Sequence, residues 1–179
     1  EWSTLKELGM IEGVVWVRIP IEIPRDWLGK DLRLELGPID EMDGEKHVLL
    51  SSLDETIIEK GKEFNLSIHK YEGDNYNPKG HKYVIDFEAE IVAKTTFSVG
   101  NVVLIKESLL VEKEQQMLLR YTLADTQEPI KIRFKPFLAF RNHHALSKAN
   151  LYVNTKIKNV PNGIMSRLYD GYPGLYMQF

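Results

Sequence analysis

Apolar residues recur at every second position through most of this chain, and that period commits it to extended structure. In "VVWVRIPIEI", Val15, Val17, Ile19, Ile21 and Ile23 share one face. "DLRLELG" alternates Leu32, Leu34 and Leu36 with charges, and "KYVIDFEAEIV" alternates Ile85, Phe87, Ala89 and Ile91 with Asp86, Glu88 and Glu90. "IKIRFKPF" does the same with Ile130, Ile132 and Phe134 against Lys131, Arg133 and Lys135. Successive side chains of a strand point to opposite faces, so these segments predict half-buried antiparallel strands with one wet face. "NVVLIKESLLVE" and "QMLLRYTLAD" predict a longer strand pair joined by the polar "EKEQ". Breakers recur at short spacing, at Gly37-Pro38, Gly73-Asp74-Asn75, Asn77-Pro78-Lys79-Gly80, Gln127-Glu128-Pro129 and Pro161-Asn162-Gly163. Many short strands with frequent turns favour an all-β sandwich or barrel. Ile85, Phe87, Leu104, Leu119, Ile132 and Phe134 are expected inside. Helix is scarce. "SSLDETIIEKGKEF", residues 51–64, is expected to form one short helix, capped by Ser51 or Ser52 and stopped at Gly61, with an extended strand and turn as the alternative.

A chain of 179 residues is long enough for one domain burying about 70% of its unfolded surface. The formal net charge of −3 gives no basic excess for nucleic acid and no polybasic run for an anionic membrane. Cysteine is absent, which removes disulfides, thiolate metal sites and a cysteine nucleophile. That fits a cytoplasmic location, with a periplasmic or secreted one left open. No run of about 18 apolar residues predicts a transmembrane helix. "EWSTLKELGM" lacks the apolar stretch of a signal peptide. The end, "LYMQF", reads like the inside of an element, so a piece of something longer is expected.

Catalytic chemistry is sparse. Among the five histidines, His143 and His144 are adjacent and in a strand would point to opposite faces, while His69 and His81 flank a Gly/Pro loop. No His-x-x-x-His pair supports a metal, and none is expected. "SSLD" has no nucleophile elbow around it, and no glycine-rich phosphate loop is present, so no cofactor is expected. Asp40, Glu41 and Asp43 cluster, as do Asp54 and Glu55, and both groups are expected to be solvated turns. Asn65-Leu66-Ser67 matches a glycosylation acceptor triplet, a common chance occurrence.

Two stretches have the residue types of a binding site. "HKYEGDNYNPKGHKY", residues 69–83, sets Tyr71, Tyr76 and Tyr83 among Asp74, Asn75, glycine and proline. Aromatic faces can cover the C–H faces of a pyranose while short polar groups bind its hydroxyls. Such tyrosines can equally bury their rings in a surface turn and keep the hydroxyl wet. In "FKPFLAFRNHHALSKAN", residues 134–150, Phe134, Pro136, Leu138 and Phe140 point one way, and the pattern then stops at Arg141-Asn142-His143-His144. That is either a polar exit loop or part of a site at a sheet end, where binding loops gather.

From "DGEKHVLLSSLDETIIEKGKEFNLSIHKYEGDNYNPKGHKY" through "VGNVVLIKESLLV", "LLRYTLAD", "RFKPFLAFRNHHAL" and "NGIMSRLYDGYPGLYMQF", the chain resembles the amino-terminal domain of bacterial glycogen debranching enzymes of the amylo-α-1,6-glucosidase type. The resemblance runs from Asp43 to Phe179. It implies a large, supersandwich-like antiparallel β-sandwich, here incomplete, with few short helices. It also implies that the glycosidase carboxylates belong to a separate α/α barrel, so this segment is the non-catalytic part of an α-1,6-glucan debranching hydrolase. Residues 13–43, "GVVWVRIPIEIPRDWLGKDLRLELGPIDEMD", are instead similar to the jelly-roll accessory domain of sialate O-acetylesterases and β-galactosidase-like proteins. The implied organisation is a strand segment over 1–42 followed by the partial sandwich over 43–179, as in a fusion. The implied partners are glycogen or another α-glucan, met through the parent enzyme, and the α/α-barrel catalytic domain. The candidate substrate-binding residues are Arg141, Asn142 and His144 at the edge facing the barrel, with Tyr71, Asp74, Asn75 and Tyr76 on the tyrosine loop. A free-standing carbohydrate-binding module and a structural fragment without ligand are the alternatives.

Overall fold

The computed structural model describes residues 19–23, 31–36, 39–42, 45–111, 114–126, 128–148 and 150–178, with side chains from Lys46 onward. The expected strand residues Val15 and Val17, the Gly37-Pro38 turn and Asp43 lie outside the described residues. Among the described residues, strand makes up 64% and helix 5%, with no helix of seven residues or more, so the chain is all-β.

Among the described residues, fifteen strands form two main antiparallel sheets and a hairpin. One sheet runs β1 (Ile19–Ile23), β12 (Ile130–Asn142), β4 (Glu45–Glu59), β3 (Ile39–Met42), with β5 (Lys62–Asn65) also on β4. The other runs β13 (Ile157–Val160), β14 (Gly163–Ser166), β15 (Leu175–Gln178), β2 (Asp31–Leu36), β11 (Met117–Asp125), β10 (Val102–Leu110), β9 (Ala93–Val99), β8 (Val84–Ala89). β6 (Ile68–Tyr71) and β7 (Asn75–Lys79) form the separate hairpin. The early strands are woven into the later ones: β1 pairs β12, β2 lies between β11 and β15, and β3 pairs β4.

The sheets pack through a shared core. Alternation along β12 buries Ile130, Ile132, Phe134, Pro136, Leu138 and Phe140. These meet Leu104 of β10 and Leu119, Tyr121 and Leu123 of β11 in one apolar cluster, with the Tyr121 and Phe134 rings 5.1 Å apart. Leu104, Leu119, Ile132 and Phe134 are inside as the period predicts.

Ile85 and Phe87 are not. They are 62% and 61% exposed. β8 is the end strand of its sheet and pairs with β9, and all six of its residues are exposed. Alternation specifies a strand, but burial requires a second layer over it.

The helix expected at 51–64 is also absent. Residues 45–59 are one long strand, held by β12 from Asn142↔His47 to Lys131↔Ile58. Lys60 and Gly61 both take positive φ, 48° and 78°, and form a two-residue hairpin loop into β5. That is the turn whose twist matches two antiparallel strands, so Gly61 ends a strand instead of a helix. Local preference yields here to tertiary pairing.

Candidate functional site

Two carboxylates expected in a solvated turn are buried. Asp54 and Glu55 are 2% and 3% exposed in the middle of β4, far from a solvated turn. Being adjacent in a strand, they face opposite ways. Glu55 points between the sheets, where its Oε1 accepts hydrogen bonds from Lys106 Nζ and Tyr121 Oη, each at 2.6 Å. Burial, and then the Glu55 carboxylate, hold the Tyr121 hydroxyl well above its ordinary pKa. Asp54 points outward under β6, where His69 Nε2 donates to its two oxygens at 2.9 and 2.8 Å. Asp54 and Glu55 therefore each have a partner, as burial demands. Asp40 and Glu41 lie in β3 instead of a turn.

The tyrosine stretch is less of a loop than its composition suggests. It contains β6 and β7, fixed to the β4–β12 pair by His69, whose ring also lies 5.0 Å from Phe137. Gly80 closes it: its N–H donates to the Ser67 carbonyl at 2.9 Å, and a Cβ there would run into the Leu66 carbonyl. Tyr71, Asp74, Asn75 and Tyr76 are all exposed. Asp74 pairs with Lys70 at 2.5 Å, and the Lys70 ammonium lies 5.9 Å from the Tyr76 ring centre. The Asn65-Leu66-Ser67 triplet is folded in beneath, with Asn65 Oδ1 accepting the Ser67 N–H at 2.9 Å and Leu66 buried.

At the end of β12 the strand runs two residues beyond the expected stop at Phe140, through a register shift between Leu138 and Arg141 and a left-handed Phe140 at φ 44°. Irregularities of this kind bend a strand and re-aim its side chains. Among the described residues Arg141 pairs with no carboxylate. Its Nη1 donates to the carbonyls of Asn142, His143 and Ala145 at 3.0, 3.2 and 3.0 Å, so one end of the guanidinium folds the turn around itself. Asn142 Oδ1 accepts the His144 N–H at 2.8 Å. His143 Nδ1 donates to the Lys46 carbonyl at 3.0 Å. The chain turns here, so the His143 and His144 rings are not opposed as in a strand but lie 3.6 Å apart. Among the described residues no three His, Asp or Glu side chains converge as metal ligands.

Arg141 and Asn142 border an open cleft of about 400 Å³, together with Phe140, Ala145, Leu146, Ser147 and three residues from further along, Asn150, Tyr169 and Tyr172. Tyr172 lies 6.0 Å from Phe140, 6.1 Å from Tyr169 and 5.4 Å from His47, measured between ring centres. Asn150 Nδ2 donates to Tyr169 Oη at 3.0 Å. The cleft therefore combines aromatic rings with amide and guanidinium donors, and no carboxylate is among the described residues that line it. Of the candidate residues, Arg141 and Asn142 border this cleft. His144 is on the same turn but does not line the cleft, and the tyrosine hairpin is anchored elsewhere, at Asp54 and Phe137. Asn150, Tyr169 and Tyr172 were not singled out from the sequence. For Tyr169 and Tyr172 the signal was "LYDGYPG", a turn rich in glycine, proline and tyrosine as residues 69–83 are.

A protein-family model described as "Glycogen debranching enzyme N terminal" matches residues 37–179. No curated protein and no solved structure matches the chain.

Proposed function

Because the chain belongs to the glycogen debranching enzyme N-terminal family, we propose that it is a non-catalytic β-sandwich of a debranching glycoside hydrolase. It contacts the α-glucan at the Arg141 cleft and packs there against an α/α-barrel catalytic domain. The observation that carries this is the lining of that cleft. Tyrosine rings cover sugar C–H faces, the Nε and Nη2 hydrogens of Arg141 meet hydroxyls, and no carboxylate is among the described residues that line it. Glycosidic hydrolysis needs two carboxylates about 5–9.5 Å apart across the bond. The deeply buried Asp54 and Glu55 are instead occupied by His69, Lys106 and Tyr121. Leu146, Leu151 and Tyr152, beside the cleft, are almost wholly exposed and suit a domain contact.

The test is calorimetric titration of glycogen and linear maltooligosaccharides into the chain, alone and with the catalytic domain. Tyr172→Ala and Asn150→Ala are expected to weaken binding about tenfold, or about 1.4 kcal/mol. Wild-type affinity in both variants would overturn the assignment. The exposed Tyr71 and Tyr76 favour a second function, free-standing glucan binding on the β6–β7 hairpin. In that case Tyr71→Ala and Tyr76→Ala, rather than Tyr172→Ala, carry the loss.

A further inference from the structure

We propose that the outer face of the β13–β14 hairpin is a binding site for a phosphomonoester carried on a sugar. Register sets Ile157 opposite Ser166 and Lys158 opposite Met165. Ile164 and Ser166 are buried, so Met165 and Arg167 belong to the outer face, and Lys158 of β13, with Lys156 just before it, joins them. These four, with Asn154 and Asp170, line a depression of about 180 Å³. Three cations and one carboxylate give it a net positive charge in a chain whose total is −3.

The cations are unneutralised. Among the described residues, Lys156, Lys158 and Arg167 make no ion pair. Several cations elsewhere on the sheets are matched, as in Lys94–Glu88, Arg120–Glu107 and Arg133–Glu63. Like charges on facing strands repel, and a bound anion removes that repulsion. The uncharged groups fit the same ligand. Asn154 Oδ1 is taken by the Lys156 N–H at 3.1 Å, so the amide turns its NH2, a donor, to whatever else it meets. A phosphomonoester carries about −1.5 to −2 charges near neutral pH and three acceptor oxygens. The planar fork of Arg167 matches two of those oxygens, and the lysine ammoniums supply point charges.

The sugar is suggested by what adjoins the cations. Asp170 offers acceptors for hydroxyls. Met165, on the floor, is the cross-strand neighbour of the exposed Tyr176 and gives an apolar surface for a ring. The segment 167–172 also serves both depressions: Arg167 and Asp170 line this one, and Tyr169 and Tyr172 line the Arg141 cleft. The sugar component rests on the glucan function proposed above; the phosphate component does not. A free glucose phosphate and a phosphorylated glucan share the chemistry.

The experiment titrates the full chain with inorganic phosphate, glucose 1-phosphate, a neutral maltooligosaccharide, and a phosphorylated glucan before and after phosphatase treatment. Glucose 1-phosphate is expected to bind saturably, tighter than inorganic phosphate and with a Kd below about 1 mM. Arg167→Ala and Lys158→Ala are each expected to weaken it about tenfold and to leave the neutral oligosaccharide unaffected. Lys158→Glu abolishes it, Asp170→Asn tightens it, and rising salt weakens it. All these positions are exposed, and an unchanged melting curve for each variant establishes that loss of binding is not loss of fold. A phosphorylated glucan that binds more tightly than glucose 1-phosphate and loses the gain on phosphatase treatment identifies the polymer as the source; the reverse order identifies the free sugar phosphate. The proposal is overturned if neither phosphate ligand saturates the wild type, or if Arg167→Ala and Lys158→Glu bind as the wild type does. Failure of the neutral oligosaccharide alone would count against the glucan cleft only.

Discussion

Lys106→Met tests how the two sheets are joined. Lys106, on β10, donates to Glu55, on β4, at 2.6 Å, and the Glu55 side chain is 4% exposed. Removing the ammonium leaves a buried carboxylate with Tyr121 as its remaining hydrogen-bond donor among those described. Breaking one partner of a buried pair costs about 3–5 kcal/mol. The Lys106 side chain is 25% exposed, so solvent already screens part of the interaction. The expectation is therefore the lower end, about 3 kcal/mol. For a chain of this size that lowers Tm by about 6–12 °C. Urea unfolding and calorimetry both read it. Replacing the whole group, Glu55→Leu with Lys106→Met and Tyr121→Phe, should recover most of the loss, because apolar substitution of a complete buried network is often neutral or stabilising. A single Lys106→Met variant within about 0.5 kcal/mol of wild type would refute the reasoning, since Glu55 would then not depend on its cation. A triple variant no more stable than the single one would show that packing at these positions, and not the orphaned charge, sets the cost.

Tyr121 gives the chain an alkaline limit. Burial raises its folded pKa, so the unfolded chain releases the phenolic proton near pH 10 while the folded chain retains it, and stability falls as pH rises above about 10. In urea midpoints between about pH 9 and about pH 11, Tyr121→Phe should show a shallower fall than wild type; parallel curves would contradict the assignment. Gly80→Ala drives a methyl into the Leu66 carbonyl and should cost at least about 1–3 kcal/mol, read by thermal melting. An unchanged Tm would mean that the β6–β7 hairpin is not tied down at that point. Arg141→Ala frees the carbonyls of Asn142, His143 and Ala145 in a partly exposed turn. A cost of about 1–2 kcal/mol should appear as faster hydrogen exchange at the amides of His144 and Ala145, with β12 above the bulge unaffected.

The period of two was enough to determine strand, because a side chain's face in an extended backbone depends only on its parity. It placed β10, β11 and β12 and the burial of Leu104, Leu119, Ile132 and Phe134. Ordered motifs from Asp43 onward likewise carried the family. What parity could not supply was a layer to be buried against. Ile85 and Phe87 alternate as cleanly as the core strands do, yet they sit at the end of the eight-stranded sheet and stay exposed. Asp54 and Glu55 looked like surface charges because their partners His69, Lys106 and Tyr121 are 15, 51 and 66 residues away. The Arg141 turn was legible where the apolar pattern stopped. Its union with Asn150, Tyr169 and Tyr172, and the gathering of Lys156, Lys158 and Arg167, came from strand register and turn geometry. A site is made of residues close in space, and in a β-sheet it is hydrogen-bonded register, set by the whole fold, that decides which residues those are.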